Sequence, residues 1–538
     1  MIKQQFHRLK AKELLARNSK AGSLIPLVET LSYAIEPVEY FAKLSGYGKN
    51  KNCLMFESAS VVPKYGERSI GSSDPCLKVT GKNENFEIIA LNKTGVRFIK
   101  ILTGDFDFCD EVEYSTDRIF GRLRPKRHIA SENERLRLVN HTDILRKIAF
   151  KFKPVSKPFV PYCGLFGAVS YDFIDQLEDL PKNKNDLTND PDYVFYFLDN
   201  LFFIDHKENK TYFIANALVT GNDEIYDECR AKLGHYKRTA SNNLKESKPQ
   251  ISKTNSSNVI TDTGRKEFIR LVGKIKEHIK AGDVYQAVLS RTMISEFNGE
   301  PFEVYKKLRK LNPSPYMFYI NYDEGILAGA SPETCLKVEG DKEKTVEIRP
   351  IAGTKPRGII NNRIDLDLDS KYEAELKIDK KEISEHTMLV DLARNDVAKI
   401  SKSGSRHVDE TFVVEKYSHV QHLVSNVVGT LKPNLDALHA YTATMNMGTL
   451  TGAPKIMAMK LLRKYEKNKR GFYGGAVCYL TPSGDFDSAI LIRSINIKNN
   501  KAYVRAGAGI VYDSDPESEF IETERKANAC LMALQQGD

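Results

Sequence analysis

Apolar positions divide the chain into short strand-like runs and longer helix-like stretches. Apolar runs bounded by turn residues predict antiparallel hairpins at 76–91 and 201–214. Asp515 followed by Pro516 predicts the start of a final helix. Helical spacing also predicts an amphipathic helix ending at Gly282, and its apolar face comprises Phe268, Leu271, Val272, Ile275 and Ile279. Strands with short turns, interrupted by long helices, indicate an α+β fold with large antiparallel sheets rather than a doubly wound parallel one.

One polar segment interrupts this pattern. Residues 239–263 are rich in Ser, Asn and Lys and contain too few apolar residues to form a core of their own. We therefore expect a linker or surface excursion there. It would separate an N-terminal region, 1–238, from a C-terminal region, 264–538.

Charge and cysteine content narrow the function classes. A formal net charge of +9 over 538 residues is modest, and the basic stretch 462–471 holds only one aromatic residue, so nucleic-acid binding is disfavoured. The eight cysteines are scattered without a C-x-x-C pair, which argues against a disulfide framework and a zinc site. The apolar runs are too short to cross a membrane. These features predict a cytoplasmic protein.

Two pairs of glutamates lie in helix-patterned segments far apart in the sequence. Glu382 and Glu385 form the first pair, and Glu519 and Glu522 form the second. Residues three apart share a helix face, so each pair is a small acidic patch. Such spacing is usually a solvated surface, but two facing patches would bind a hard divalent cation through oxygen ligands.

The remaining chemistry-bearing motifs lie between residues 264 and 530. They are A-S-P-E (330–333), R-P-I-A-G-T (349–354), E-H-T-M-L-V-D-L-A-R-N-D (385–396), H-L-V-S (422–425), G-T-L-T-G-A-P (448–454), Y-G-G-A-V (473–477), I-R-S (492–494), A-G-A-G-I-V-Y-D-S-D-P (506–516) and E-T-x-x-K-A (522–527). In this order they resemble the motifs of the chorismate-utilising enzymes. The resemblance implies that family's αββα sandwich together with an N-terminal regulatory region.

Two positions distinguish branches of that family. Water-adding members carry a lysine where this chain has Gln286, and members that attack the ring covalently carry a lysine where it has Ala352. The absence of both lysines makes the chain similar to the branch that joins chorismate and ammonia. The implied lyase reaction yields anthranilate and pyruvate through aminodeoxyisochorismate, the first committed step of tryptophan biosynthesis. Two alternatives stay open: a relative that stops at aminodeoxyisochorismate, and a catalytically silent subunit that binds tryptophan or chorismate.

The resemblance also assigns residue roles. Glu333 would be the general acid for the departing hydroxyl, and His422 would act in the elimination of pyruvate. Taken singly, a glutamate at a turn and a lone histidine are more typical of structural residues. The implied ligands of Mg²⁺ are Glu385 and Glu522, with Glu382 and Glu519 as further or water-mediated ligands. The implied substrate-binding residues are Gly353, Thr354, Thr449, Tyr473, Arg493, Gly507, Ala508, Gly509 and Lys526.

A second set of residues resembles a tryptophan feedback site. The segment C-L-M-F-E-S-A-S (53–60) matches part of that site, although Phe56 replaces a smaller leucine and could reshape the pocket wall. Without the match, the same residues would be a buried strand edge and a proline turn. The implied tryptophan-binding residues are Glu57, Ser58, Arg68, Pro315, Tyr316 and Met317.

The chain has no cysteine in the G-x-C-x-G setting of a glutamine amidotransferase. If ammonia comes from glutamine, the resemblance implies a separate amidotransferase subunit and hence a heteromeric complex.

Overall fold

A computed structural model describes residues 20–59, 68–125, 132–183, 185–220, 224–241, 259–361, 363–417 and 420–535. Its α-helices are α1 (Pro37–Leu44), α2 (Lys93–Leu102), α3 (Glu132–Arg135), α4 (His141–Lys151), α5 (Glu224–Ser241), α6 (Arg265–Lys280), α7 (Pro301–Leu311), α8 (Leu366–Ile378), α9 (Lys380–Ile400), α10 (Ala437–Thr444), α11 (Gly448–Thr451), α12 (Lys455–Tyr465) and α13 (Pro516–Leu534). A 3₁₀ helix covers Tyr171–Gln176.

The strands before the polar segment are β1 (Ser23–Leu31), β2 (Cys53–Glu57), β3 (Arg68–Ser72), β4 (Leu77–Lys82), β5 (Asn85–Ala90), β6 (Glu111–Tyr114), β7 (Arg118–Arg122), β8 (Lys153–Pro154), β9 (Gly164–Val169), β10 (Tyr193–Leu198), β11 (Asn200–Asp205) and β12 (Lys210–Leu218). From residue 260 onward they are β13 (Ile260–Thr261), β14 (Gln286–Glu296), β15 (Tyr316–Asn321), β16 (Ile326–Ser331), β17 (Thr334–Glu339), β18 (Thr345–Ile348), β19 (Ile351–Pro356), β20 (Ile359–Ile360), β21 (Arg363–Ile364), β22 (His407–Lys416), β23 (Val420–Thr430), β24 (Gly452–Ala453), β25 (Ala476–Leu480), β26 (Phe486–Ile490), β27 (Ser494–Lys498) and β28 (Lys501–Ile510).

These strands form two large sheets and one small hairpin, β20–β21. The first sheet has the order β13-β14-β28-β27-β16-β15-β2-β3-β11-β12-β1-β8, with β24 paired to β14. The second has the order β19-β23-β18-β17-β26-β25-β9-β10-β4-β5-β7-β6, with β22 paired to β23. The short β1–β8 contact is parallel, whereas the long pairings are antiparallel. The predicted α+β class with large antiparallel sheets is confirmed.

Each large sheet consists of two contiguous blocks of strands, one from each side of the polar segment. The blocks meet at a single strand pair, β2–β15 in the first sheet and β9–β25 in the second. We call these two pairs the seam. The division at 239–263 itself stays a prediction, because residues 242–258 lie outside the described residues.

The core lies between the sheets, and helices cover the outside. One continuous apolar cluster joins Leu54 and Phe318 of the first sheet to Phe166 and Val338 of the second. A second cluster packs α1, α5, α7 and α13 onto the other face of the first sheet. Helix α9 packs against β19 and β23 of the second sheet. This layering is the helix-flanked sandwich predicted above.

Local signals from the sequence are also confirmed. The amphipathic helix is α6, and Gly282 just after it has the left-handed φ of 84° that glycine adopts without steric cost. The Asp515 side chain accepts a hydrogen bond from the Ser518 amide at the start of α13. Both predicted hairpins form, as β4–β5 and β11–β12. In the part of the chain that the structure describes, no helix is long and apolar enough to cross a membrane.

Candidate active site

Glu333 is a buried carboxyl group that has no close ionic partner among the residues that the structure describes. It lies between β16 and β17, where the Ile490 amide donates to its main-chain oxygen at 3.0 Å, and the residue is 7% exposed. Burial raises the pKa of Glu333 to about 8, although the Thr449 hydroxyl and the charge of Lys526 oppose the rise. Among the described residues, neither Glu333 Oε1 nor Thr449 Oγ1 has a hydrogen-bond partner. Both atoms are therefore available to a ligand.

His422 lies on β23, directly opposite Thr354 of β19. Its Nδ1 is 3.2 Å from the Gly353 main-chain oxygen and 2.9 Å from Thr354 Oγ1. Since the carbonyl can only accept, this contact favours the tautomer with the proton on Nδ1 and leaves Nε2 as a base. Burial, with the nearby charges of Arg493 and Lys526, lowers the pKa of His422 to about 4. The imidazole is thus neutral at physiological pH.

Arg493 and Tyr473 form a site suited to a carboxylate. Arg493 has a left-handed φ of 51°, and its Nη1 donates to the Lys526 main-chain oxygen at 2.7 Å. Burial lowers the pKa of this guanidinium, because its charge has lost contact with water. A bound anion would stabilise that charge. Burial raises the pKa of Tyr473 to about 12, so its hydroxyl keeps the proton that it would donate.

The Lys526 ammonium group lies close to several of the predicted site residues. Its Nζ lies 2.5 Å from Glu522 Oε1 and 3.1 Å from the Gly507 main-chain oxygen. Its charge also acts on the pKa values of Glu333, Glu385 and His422. The ammonium group therefore lies near both the predicted acid and the predicted base.

Three glycines allow side chains to approach the main chain closely. A Cβ at Gly507 would lie 3.0 Å from the Tyr473 hydroxyl, and one at Gly509 would lie 2.7 Å from Gln286 Nε2. Gly353 has a φ of 84°, and a Cβ there would lie 3.2 Å from Glu382 Oε2. Ala508 differs from its neighbours, because its methyl group packs into the apolar cluster under α6.

The two glutamate pairs lie close enough to affect each other. Burial is the largest cause that raises the pKa of Glu385, and the charge of Glu522 adds to it. The pKa of Glu382 is raised by burial and by Glu385, and that of Glu519 by burial and by Glu522. Carboxylates on α9 and α13 therefore repel one another across the same space.

These carboxylates fit a hard divalent cation in chemistry. Lys526 forms an ion pair with Glu522, and Gln286 Nε2 donates to Glu385 Oε1 at 3.0 Å. A bound cation would coordinate these same carboxylate oxygens. Within the described ranges no three carboxylate, histidine or cysteine side chains form a ready-made metal cluster. A cation would complete a set of oxygen ligands that otherwise repel each other.

The six residues predicted to bind tryptophan line a separate cavity. Its volume is about 420 Å³, and its walls include β2, β15 and β25, three of the four strands of the seam. We call it the seam cavity. Glu57, Ser58, Arg68, Pro315, Tyr316 and Met317 all contribute to it.

Glu57 has partners that the sequence did not predict. Its carboxylate lies 2.9 Å from Arg309 Nε of α7 and accepts a hydrogen bond from the Tyr305 hydroxyl. Burial raises the pKa of Glu57, while Arg309 opposes the rise. The carboxylate that was expected to bind tryptophan is thus already in contact with a guanidinium.

The fold and this geometry agree with what the chain resembles among known proteins. The family described as chorismate binding enzyme matches residues 108–532. The chain belongs to the chorismate-binding enzyme family. It is 39% identical over 526 residues to anthranilate synthase component 1 of Vibrio cholerae, covering 96% of this chain and 97% of that one. The Buchnera aphidicola protein of the same name is 40% identical over 512 residues, covering 93% and 95%.

A solved structure is similar to this chain as well. The crystal structure of anthranilate synthase component I from Streptococcus pneumoniae superposes with a TM-score of 0.64 at 28% identity. It covers 86% of this chain and 92% of that one.

Three residues near this candidate site were not predicted from the sequence. Arg470 and Arg505 both pair with the buried Glu466, at 2.7 and 2.9 Å, and their guanidinium carbons lie 5.9 and 6.0 Å from the Tyr473 ring. Tyr417 lies against His422, with ring centroids 5.5 Å apart. Each depends on strand pairing, and none belongs to a short motif.

Proposed function

We propose that this chain converts chorismate and ammonia to anthranilate and pyruvate through aminodeoxyisochorismate. The observation that carries the proposal is Glu333, a buried carboxyl group whose pKa of about 8 keeps it protonated near neutrality. A proton donor without a close counter-ion is what the departure of a ring hydroxyl requires.

In the first step ammonia would form a carbon–nitrogen bond with the ring while the hydroxyl leaves. Glu333 would give its proton to that hydroxyl, which departs as water, and the new ammonium group would release a proton in turn. Gln286 stands near Glu385 instead of an amine base, and ammonia needs no such base. Arg493 and Tyr473 would bind the enolpyruvyl carboxylate and fix the ring orientation.

In the second step His422 would remove the proton from the ring carbon that carries the new nitrogen. The enolpyruvyl carbon–oxygen bond to the ring then breaks, the ring becomes aromatic, and the departing enolate takes up a proton to become pyruvate. The neutral imidazole, with Nδ1 facing Gly353, presents Nε2 for this purpose. Its pKa of about 4 keeps the base unprotonated.

Mg²⁺ would be held by Glu385 and Glu522, with Glu382 and Glu519 as further or water-mediated ligands. When bound, it would neutralise the ring carboxylate of chorismate. The chain's own contribution is to bring the charges of Glu385 and Glu522, which lie on two different helices, within range of each other, with Lys526 balancing part of that charge.

The partners follow from the chemistry of the reaction. Glutamine-derived ammonia would come from a separate amidotransferase subunit, as the term "component 1" in the relatives' names suggests. Tryptophan would bind the seam cavity and inhibit the reaction. All eight cysteines are thiols and seven are buried, which suits a reducing, cytoplasmic compartment.

The test is a fluorescence assay of anthranilate with the purified chain, chorismate, MgCl₂ and ammonium chloride. We expect product that disappears with EDTA, returns with Mg²⁺, and decreases with tryptophan. Glutamine in place of ammonium should give none until the amidotransferase subunit is added.

Other outcomes identify the alternatives. Chorismate consumed without fluorescence would indicate an enzyme that stops at aminodeoxyisochorismate. Chorismate bound but not consumed would contradict the catalytic proposal and indicate a silent binding subunit.

A further inference from the structure

The hairpin formed by β22 and β23 places two side chains beside His422. Glu415 is the direct cross-strand partner of His422 in the register of these strands. Tyr417, two residues after Glu415, points to the same side, because side chains alternate along a strand. Its ring meets the His422 imidazole at a centroid distance of 5.5 Å and an interplanar angle of 65°, an edge-on contact.

Tyr417 is itself fixed by buried polar contacts. Its hydroxyl donates to Glu415 Oε2 at 2.9 Å, and Glu415 Oε1 accepts from Arg349 Nη2 at 2.7 Å. The same Nη2 also contacts Glu410 Oε2 at 3.0 Å. Tyr417, Glu415 and Arg349 are 6%, 9% and 5% exposed, so water does not compete well for these bonds.

We propose that Tyr417 is a positioning residue for His422. Its ring limits rotation of the imidazole, and the Glu415–Arg349 pair holds that ring in place. The Nδ1 edge of the imidazole is fixed separately, because Nδ1 contacts the Gly353 main-chain oxygen and the Thr354 hydroxyl. The two constraints together aim Nε2 at one position.

The charge pattern around Tyr417 supports this role. Glu333 is among the groups whose charge acts on the Tyr417 hydroxyl, so the ring lies near the acid as well as the base. Burial beside Glu415 raises the pKa of Tyr417, and the hydroxyl therefore remains a donor to that carboxylate. The role assigned to Tyr417 is therefore to position His422.

The inference rests on the proposed function and concerns only its second step. A poorly oriented His422 should slow the elimination of pyruvate and leave the addition of ammonia unchanged. Aminodeoxyisochorismate would then accumulate and leave the enzyme. The ratio of this intermediate to anthranilate is a readout that general damage to the fold would not move.

The experiment compares Tyr417→Phe and Tyr417→Leu with the unaltered chain, using ammonium, Mg²⁺ and chromatographic separation of both products. Phe keeps the ring but loses the hydroxyl, so we expect the intermediate-to-anthranilate ratio to rise on the order of threefold. Leu removes the ring contact, and the ratio should rise roughly tenfold or more. Chorismate consumption should stay within about twofold, since one lost aromatic contact costs little elsewhere.

Two controls isolate the His422 contact. Tyr196→Phe removes another buried hydroxyl, which donates to Asn52 just before β2, and should leave the product ratio unchanged. In a His422→Ala background, Tyr417→Leu should have no further effect on the ratio, because the group it positions is gone.

The outcomes separate the inference from the function that it refines. No anthranilate from the unaltered chain would overturn the proposed function itself. Anthranilate formation with an unchanged ratio in Tyr417→Leu would overturn only the positioning role. A variant that alters tryptophan inhibition but not the ratio would also overturn it, because Arg349 and Glu410 line the seam cavity as well.

Discussion

The candidate active site and the seam cavity each contain a buried glutamate, and the two glutamates differ in their charged neighbours. Glu57 lies beside Arg309 and Tyr305, whereas in the described part of the chain no ionic partner contacts Glu333 and the charge of Lys526 acts on it from a greater distance. Burial raises both pKa values, but a guanidinium in contact opposes the rise only at Glu57. A paired carboxylate suits a recognition site, and an unpaired one suits proton transfer.

The two regions also differ in which parts of the chain supply their residues. Both predicted catalytic residues, Glu333 and His422, come from the part of the chain after residue 260, while the seam cavity takes walls from both blocks of strands. A ligand in the seam cavity would therefore contact the two halves at once. A change in how the halves meet is the physical route by which such a ligand could affect the active site.

The largest expected effect comes from removing the unpaired acid. Glu333→Gln keeps the shape but cannot donate a carboxylic proton, so anthranilate formation should fall roughly 10²–10⁴-fold. The fluorescence assay measures this, with circular dichroism to check the fold. A fall of less than tenfold would mean that another group protonates the leaving hydroxyl.

The same carboxyl group predicts a pH dependence. Because the reaction needs protonated Glu333, activity should fall about tenfold per pH unit above its pKa of about 8. The raised pKa also means that Glu333 stabilises the fold fully below its ordinary pKa of 4.5, and that this contribution is lost as the pH rises through about 8.

Rate profiles and thermal unfolding between pH 5 and 9 check both statements. Glu333→Gln should become more stable than the unaltered chain as the pH rises. An equal stability difference at all pH values would contradict the raised pKa.

Removing the cation from the other glutamate should make it resemble Glu333. Arg309→Met leaves Glu57 buried without a guanidinium, and unfolding free energy should fall by about 1–3 kcal/mol, since the arginine is partly exposed. Urea denaturation at pH 7 measures the loss. Adding Glu57→Gln should restore part of it; no recovery would show that the pair's charges are not the cause.

The smallest expected effect concerns the wall of the seam cavity. The Phe56 ring lines the seam cavity, and its centroid lies 6.0 Å from that of the Phe166 ring. Phe56→Leu should make room for an indole and strengthen tryptophan inhibition roughly threefold to tenfold. Met55→Leu is the matched control, because Met55 packs on the opposite face of β2 and should leave inhibition unchanged.

The sequence predicted functional residues where they lie in short motifs. Glu333, His422, Arg493 and Lys526 could be named in advance because each sits in an ordered motif, and the structure places them together. Helix α6 and the start of α13 were likewise predictable, because periodicity and capping are local signals.

What the sequence missed depends on contacts between distant strands. Arg309 reaches Glu57 because α7 packs on β15 and β16, and β15 pairs with β2. Tyr417 meets His422 through the register of β22 and β23. Ala508 shows the same limit at a finer scale. Its neighbours Gly507 and Gly509 face the site, while its methyl group faces the core, an alternation that a motif does not reveal.

The seam has a consequence for how the protein is made. Strands β2 and β9 are synthesised early, but the partners that cover them, β15 and β25, follow only after the polar segment. On a ribosome these two strand edges would stay open for on the order of tens of seconds. Unpaired edges invite association with other chains, so a nascent first half should need chaperone protection until the second half emerges.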